Sequence, residues 1–246
     1  MRLTRLHVDA LLEAGRVIEL PPAPSMHVAR VLRARDGDAV VLFNGDGREY
    51  HCLIESVRAA RVTVAVGEGR GADRESPLAL TLVQCIPRGD RMDWVVQKAT
   101  ELGVARIVPL VSQRSVVKLA GDQAESKAAH WRAVAISACE QCGRNRLPAV
   151  DAPRPLIDFL GSPSTAGLRL VLEPDAHALA TPAGAPRSIE FAIGPEGGLG
   201  TEELDLFRLA GFTPLRLGPR ILRAETAAIA AAVWLQTRFG DFDGCG

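Results

Sequence analysis

Two stretches in the C-terminal third of this 246-residue chain carry residue types suited to chemistry done largely by the backbone. The first, Gly194-Pro195-Glu196-Gly197-Gly198, follows the apolar run Ile189–Ile193. Glycine lets a main chain approach a ligand closely and proline fixes its path, so such a loop presents peptide N–H and C=O groups rather than side chains. The second, Leu217-Gly218-Pro219-Arg220-Ile221-Leu222-Arg223-Ala224-Glu225-Thr226-Ala227, leaves another apolar run through Gly-Pro. Ile221 and Leu222 are placed to wall an apolar slot for a planar ring. Arg223 and Glu225 as a mere surface ion pair would be worth only ~0–1 kcal/mol. Beside a glycine-rich loop we read them as functional.

Other chemistries lack their residues. There is no GxxxxGK[ST] phosphate loop, no HExxH zinc site and no GxSxG nucleophile elbow. His7, His27, His51, His130 and His177 have no metal-ligand spacing, and no metal is expected. Cys139-x-x-Cys142 is half a metal or redox motif without a second pair. It falls in a run of helical period, so it reads as packing. Gly67-x-Gly69-x-Gly71 is followed by Asp73-Arg74-Glu75-Ser76-Pro77, which cannot open the helix that a dinucleotide fingerprint needs. Backbone loops with neither nucleophile nor metal suit group transfer from an already activated cofactor.

Those loops need a frame. The length suits one large domain or two modest ones. Up to about residue 70 the chain reads as short strands: Ala39–Phe43, a tight turn at Asn44–Gly47, Arg48–Val57 and Arg61–Val66, with one short helix over His27–Leu32. This predicts a small barrel. Gly67–Ser76 reads as a linker, dividing residues 1–72 from 73–246. From residue 78, strands (Leu78–Ile86, Arg106–Val111, Leu168–Leu172, Ile189–Ile193, Pro214–Leu217) alternate with helices (Asp90–Leu102, Ala124–Gln141, Thr201–Ala210 capped by Thr201, Glu225–Arg238). Such alternation predicts an α/β domain with a mostly parallel sheet covered on both faces. Its ligands would bind beyond the carboxyl ends of the strands, where both loops fall.

Charge and hydropathy narrow the partners. Lys+Arg and Asp+Glu both number 29, so no global field recruits nucleic acid. Residues 86–118 are locally basic: Arg88, Arg91, Lys98, Arg106, Arg114 and Lys118 against Asp90, Asp93 and Glu101, a net +3. Arg144 and Arg146 form a second cluster around Asn145. Aromatics are 4% of the chain, with Tyr50 the single tyrosine, which argues against a base-stacking platform. Were a nucleic acid the partner, recognition by shape and backbone would be a better expectation than stacked bases. The longest apolar run, Ala227–Leu235, is too short for the ~20 residues of a membrane span, and no secretory signal is read at the start. The odd count of five cysteines argues for a reducing cytoplasm.

Five blocks in order carry a family likeness: Pro87–Met92 with Gln97–Gly103, then Ser112-Gln113-Arg114, Glu140–Arg146, IGPEGG and LGPRILRAETA. The chain resembles the RsmE family, 16S ribosomal RNA uridine-N3 methyltransferases of the SPOUT class. The resemblance implies an N-terminal PUA-like β-barrel for RNA binding and a C-terminal α/β methyltransferase domain tied in a trefoil knot. It further implies S-adenosylmethionine as cofactor, a homodimer, and 16S rRNA of the 30S subunit as substrate. Carried onto this chain, Leu172, Glu173, Gly194, Pro195, Glu196, Gly197, Gly198, Leu217, Gly218, Arg220, Ile221, Leu222, Thr226 and Ala227 would hold the cofactor. Arg223 would stabilise charge developing on the uracil carbonyls, as an oxyanion hole does. Glu225 would orient Arg223 or accept the N3 proton, unless water or the RNA takes it. Arg5, Arg88, Arg91, Lys98, Arg114, Arg144, Asn145 and Arg146 are the expected RNA contacts. The competing readings are a non-catalytic RNA-binding or ribosome-assembly module and a SPOUT enzyme acting on another RNA.

Overall fold

Alternation of apolar residues every second position builds the first sheet. The computed structural model describes residues 3–59, 61–115, 121–176 and 185–242; Lys118 and His177 of the sequence reading lie outside them. The early elements are β1 (Thr4–His7), β2 (Val17–Glu19), α1 (Pro22–Met26), a π-helical turn (His27–Val31), β3 (Ala39–Phe43), β4 (Arg48–Arg58), β5 (Arg61–Ala65) and β6 (Gly69–Gly71). They pair in the order β1-β3-β4-β5-β2, with β6 also on β4. The β1–β3 pair is parallel and the others are antiparallel. Tyr50, Cys52 and Ile54 of β4 point to the same side as Val62 and Val64 of β5, closing a core with Leu6, Val28, Val40 and Leu42.

The expected turn between β3 and β4 forms. Gly45 and Gly47 take the left-handed conformation (φ +92° each), and Asn44 and Asp46 side chains accept from the Asp46 and Arg48 N–H groups. The linker expectation fails in part, because Gly69–Gly71 adds a strand against Arg48–Tyr50. Gly69 is required there: a Cβ would meet the Tyr50 ring at 2.7 Å.

The second sheet uses β7 (Ala79–Cys85), β8 (Arg106–Val111), β9 (Ala149–Val150), β10 (Arg154–Pro155), β11 (Leu168–Leu172), β12 (Ser188–Ile193) and β13 (Thr213–Leu215). The order is β10-β8-β7-β12-β11-β13, with β9 also on β8, and every pair is parallel. Its helices are α2 (Arg91–Glu101), α3 (Asp122–Cys142), α4 (Leu156–Leu160), α5 (Thr201–Leu209) and α6 (Ala224–Phe239). Successive residues on one strand serve opposite faces. Leu80 and Leu82 join the core under α2, α3 and α6, while Val83 and Cys85 join the one under α4 and α5. Alanines 224, 227, 228, 231 and 232 form the buried stripe of α6, and small side chains let it lie close to the sheet. Near its end, buried Gln236 donates to the Leu102 carbonyl and accepts from the Ser76 hydroxyl, both at 2.8 Å.

The compact units are Met1–Glu75 with Cys139–Leu147, and Ser76–Ala138 with Pro148–Gly246. A contiguous division at 72/73 therefore differs from the packing by the excursion 139–147. The reason is visible in side chains. The Arg144 guanidinium pairs with Glu75, Asn145 donates to the Ala72 carbonyl, Arg5 reaches Asn145 and the Arg144 carbonyl, and Glu140 accepts from the His7 N–H.

Candidate active site

The carboxyl ends of β11, β12 and β13 lie side by side in the sheet, because β11 pairs with both of the others. A cavity of about 500 Å³ opens where those strands give way to loops, within the range of small-molecule sites, about 300–1,000 Å³. From β11 come Leu172, Glu173, Pro174 and Asp175. From β12 come Gly194, Pro195, Glu196, Gly197, Gly198 and Leu199. From β13 come Arg216, Leu217, Gly218, Arg220, Ile221, Leu222 and Arg223, followed by Ala224 and Ala227 of α6. Three separate stretches of sequence thus converge, as parallel strands require. Of the residues expected at the cofactor, Thr226 does not line the cavity, and neither does Glu225, which was expected in catalysis. Pro174 lines it as expected of that strand end, and Asp175, Ile193, Leu199, Leu204, Leu215, Arg216 and Ala224 line it without having been singled out for cofactor contact. Leu199 was legible, as the residue directly after the glycine pair.

The 194–198 loop is tightly built. A Cβ on Gly194 would sit 3.0 Å from Leu199 Cγ and 3.2 Å from its backbone nitrogen, so a larger residue must push the loop open. Gly198 needs the left-handed conformation (φ +69°), and its N–H donates to the Pro195 carbonyl. Helix α5 starts beneath this loop. The cap position is Gly200 rather than Thr201, because Glu203, three residues on, turns its carboxylate back to accept from the Gly200 N–H at 2.9 Å. Its other oxygen accepts from the Gln113 N–H at 2.8 Å, which ties α5 to the turn after β8.

Two expected RNA contacts belong to this loop instead. Arg91 places Nη1 2.8 Å from Glu196 Oε1, and the Arg88 N–H donates to the same oxygen. Arg114 donates to the Gly197 carbonyl at 2.8 Å. Burial tends to raise the Glu196 carboxyl, but hydrogen bonds from the Arg88 and Glu196 N–H groups and the Arg91 charge outweigh it and hold it below its ordinary value. Arg91 Nε also lies 3.7 Å from Glu225 Oε1. The ion pair of Glu225 among the described residues is thus with Arg91 and not with Arg223, while Glu225 Oε2 is buried with no hydrogen-bond partner among them.

Arg223 is the N-cap residue of α6, in extended conformation and exposed at the cavity wall, and its carbonyl accepts from the Ala227 N–H. Ile221 is 86% exposed, so its wall of the expected slot stands open. Glu173 pairs with Arg208 of α5 at 2.9 Å.

The remaining basic residues divide sharply. Arg88 and Arg146 have exposed side chains, and Lys98 pairs with Glu101 one helical turn away. Arg5, Arg144 and Asn145 are 9%, 4% and 2% exposed, and they bond to Glu49, Glu75, Ala72 and one another. As direct RNA contacts these three are corrected: their polar groups are spent holding 139–147 to the first sheet. Cys139 and Cys142 pack as expected. A hydrogen bond between the two thiols, then burial, pushes the Cys139 thiol far above its ordinary value, which leaves it unreactive. No cluster of metal ligands occurs among the described residues, and none of their helices is long and apolar enough to cross a membrane.

Comparison with known proteins places this geometry. An RNA methyltransferase domain family matches residues 74–236, and an RNA methyltransferase PUA domain family matches residues 26–66. The ribosomal RNA small subunit methyltransferase E of Buchnera aphidicola from Schizaphis graminum is 32% identical over 243 residues, covering 98% of each chain. A Legionella pneumophila methyltransferase, solved with S-adenosylmethionine bound, is 40% identical with a TM-score of 0.94, over 98% of this chain and all of that one. The ribosomal RNA small subunit methyltransferase E of Neisseria gonorrhoeae, solved with the same cofactor, is 35% identical with a TM-score of 0.91 over the same shares.

Proposed function

We propose that this chain, which belongs to the ribosomal RNA small subunit methyltransferase E family, transfers a methyl group from S-adenosylmethionine to N3 of a uridine in 16S rRNA. The observation that carries the reading is the cavity at three adjacent strand ends, whose lining among the described residues is Gly-Pro backbone, apolar side chains, arginines and carboxylates, with no Ser, Thr, Cys, Lys or His. The residues present fit the cofactor. Leu172, Leu217, Leu222 and Ala227 offer apolar walls for a planar base. The 194–198 and 217–218 turns offer peptide groups, and Glu173, Asp175 and Glu196 offer carboxylates toward hydroxyl or ammonium groups. When bound, the cofactor supplies an electrophilic methyl group on a sulfonium.

The protein's own part is alignment and charge management. Arg223, exposed at the cavity wall, stabilises negative charge spreading over the uracil carbonyl oxygens as N3 loses its proton. Glu225 lies outside the cavity lining with Oε2 buried, so water or the RNA takes that proton. Arg88, Lys98 and Arg146 serve phosphates; their heads are exposed or only half-buried, which backbone recognition of folded RNA needs. In this reading the first sheet closes as a PUA-like barrel, over residues 1–72, and the last third of the chain threads a trefoil knot. What supports the knot is that α6, after the edge strand β13, returns to pack on α2 and β7, while the loops after β11, β12 and β13 share one cavity. The protein acts in the cytoplasm as a homodimer. Ile229, Ala230 and Val233 of α6, with exposed Thr226, form an outward apolar face suited to a second copy.

The test is to incubate the protein with labelled S-adenosylmethionine and 30S subunits that lack the modification, then analyse the nucleosides. Label in 3-methyluridine is expected. Label in another nucleoside, or none despite tight subunit binding, contradicts the reading and leaves a different RNA target or a binding module.

A further inference from the structure

Residues 86–118 are the most basic stretch described above, yet two of its arginines point inward to the cofactor loop. They approach that loop from two elements. Arg91, in the first turn of α2, holds the Glu196 side chain at 2.8 Å, helped by the Arg88 N–H. Arg114, in the turn after β8, holds the Gly197 carbonyl at 2.8 Å, and Gly197 sits so close that a Cβ on it would touch the Arg114 side chain at 3.6 Å. The turn that carries Arg114 is itself fixed. The Gln113 N–H is bound to buried Glu203, and Ser112 and Ser115 bond to each other at 2.9 Å. Arg91 also faces Glu225 at 3.7 Å, so one guanidinium stands between the loop and the first turn of α6.

A guanidinium flanked by two carboxylates has little net charge left for a phosphate, and one bonded to a carbonyl has part of its donor fork already committed. We propose that Arg91 and Arg114 are positioning residues of the methyl transfer, bracing the Gly194–Gly198 loop from two sides in its cofactor-binding shape, rather than phosphate contacts. This rests on the assignment of that loop to S-adenosylmethionine. A loop with glycine at three of five positions has many conformations to lose, and bonds at two consecutive residues restrict it before the ligand arrives. Arg91 additionally keeps the Glu225 carboxylate near the loop.

The test is calorimetric titration of S-adenosylmethionine, together with filter binding of 16S rRNA without cofactor, for the wild type, Arg91→Ala, Arg91→Lys, Arg114→Ala and Glu196→Gln. The expected result is a cofactor Kd raised about tenfold in each alanine variant, partly restored in Arg91→Lys, with RNA affinity within about twofold of wild type. Arg91→Ala combined with Glu196→Gln is expected to cost no more than the worse single change, because both remove one bond. In turnover, KM for the cofactor rises more than kcat falls, a split that general destabilisation would not produce. RNA affinity falling tenfold with cofactor Kd unchanged overturns the proposal and restores the arginines to the RNA surface. Cofactor binding unchanged in every variant, while the wild type binds, also overturns it. A wild type that binds no S-adenosylmethionine overturns the functional reading beneath it.

Discussion

The arginines around Glu75 and those around the cavity come from equally motif-like sequence, and the structure uses them in opposite ways. In the first unit Arg5 and Arg144 are buried. Arg5 lies over the Phe43 ring at 5.0 Å and pairs with Glu49, and Arg144 pairs with Glu75. At the cavity, Arg220 and Arg223 are exposed on a loop that leaves a Gly-Pro turn. Both settings exploit the fixed fork of the guanidinium, one to saturate buried carbonyls and carboxylates, the other to meet charge on a ligand. A run such as Gly143-Arg144-Asn145-Arg146 therefore holds two roles in four residues: Arg144 and Asn145 are structural, and Arg146 stacks its exposed guanidinium over Gly47, within 2.8 Å of where a Cβ would be. Residue type alone does not separate them. Burial does.

Breaking that contrast should give its largest effect at the buried end. Arg144→Ala leaves Glu75 unpaired and should lower unfolding free energy by about 3 kcal/mol, the low end for a broken buried pair since Glu75 is partly exposed. Arg146→Ala should cost less than about 0.5 kcal/mol, yet reduce the salt slope of RNA binding by about one. Urea denaturation and salt-dependent RNA titration of the two variants check both statements. If instead Arg144→Ala is stable and Arg146→Ala is not, the division by burial is wrong.

At the cavity, Gly194→Val should weaken S-adenosylmethionine binding about 10²-fold, since the added side chain drives into Leu199 and displaces the loop. Equilibrium dialysis measures this, and unchanged affinity would place the cofactor elsewhere.

The smallest effect is one of pH. Glu49 is partly buried, which tends to raise its carboxyl, but the Arg74 and Arg5 guanidinium groups outweigh burial and hold it below the ordinary carboxylate range. A depressed folded pKa contributes stability that is complete above the unfolded value, near 4.5, and is lost as pH falls through the folded one. Thermal melting between pH 7 and 3 should show Glu49→Gln less stable at neutral pH, with the gap to wild type closing toward the acid end. A gap constant with pH would count against the ion pair.

How far the sequence could be read follows the same physics. Ala39–Phe43, Arg106–Val111 and Leu168–Leu172 were legible to the residue, because β-branched and leucine runs bounded by turns are strong signals. Gly69–Gly71, Ala149–Val150 and Arg154–Pro155 were not. Strands of two or three residues have no period, and only their partners make them strands. The Thr201 cap was misplaced by one residue, since the Glu203 carboxylate selects Gly200. The convergence of the 194–198 and 217–223 loops was legible from their Gly-Pro turns after apolar runs, whereas the third loop, after Leu168–Leu172, came only with the family likeness. The brace by Arg91 and Arg114 was not, because bonds spanning 105 and 83 residues leave no local trace.

The account stands most directly on Arg223, the exposed arginine of the cavity that is assigned to chemistry. Single-turnover transfer from saturating S-adenosylmethionine to unmodified 30S subunits should be slowed about 10²–10³-fold by Arg223→Ala, with cofactor Kd unchanged. A variant that transfers as fast as the wild type would contradict the assignment and turn Arg223 into one more rim residue.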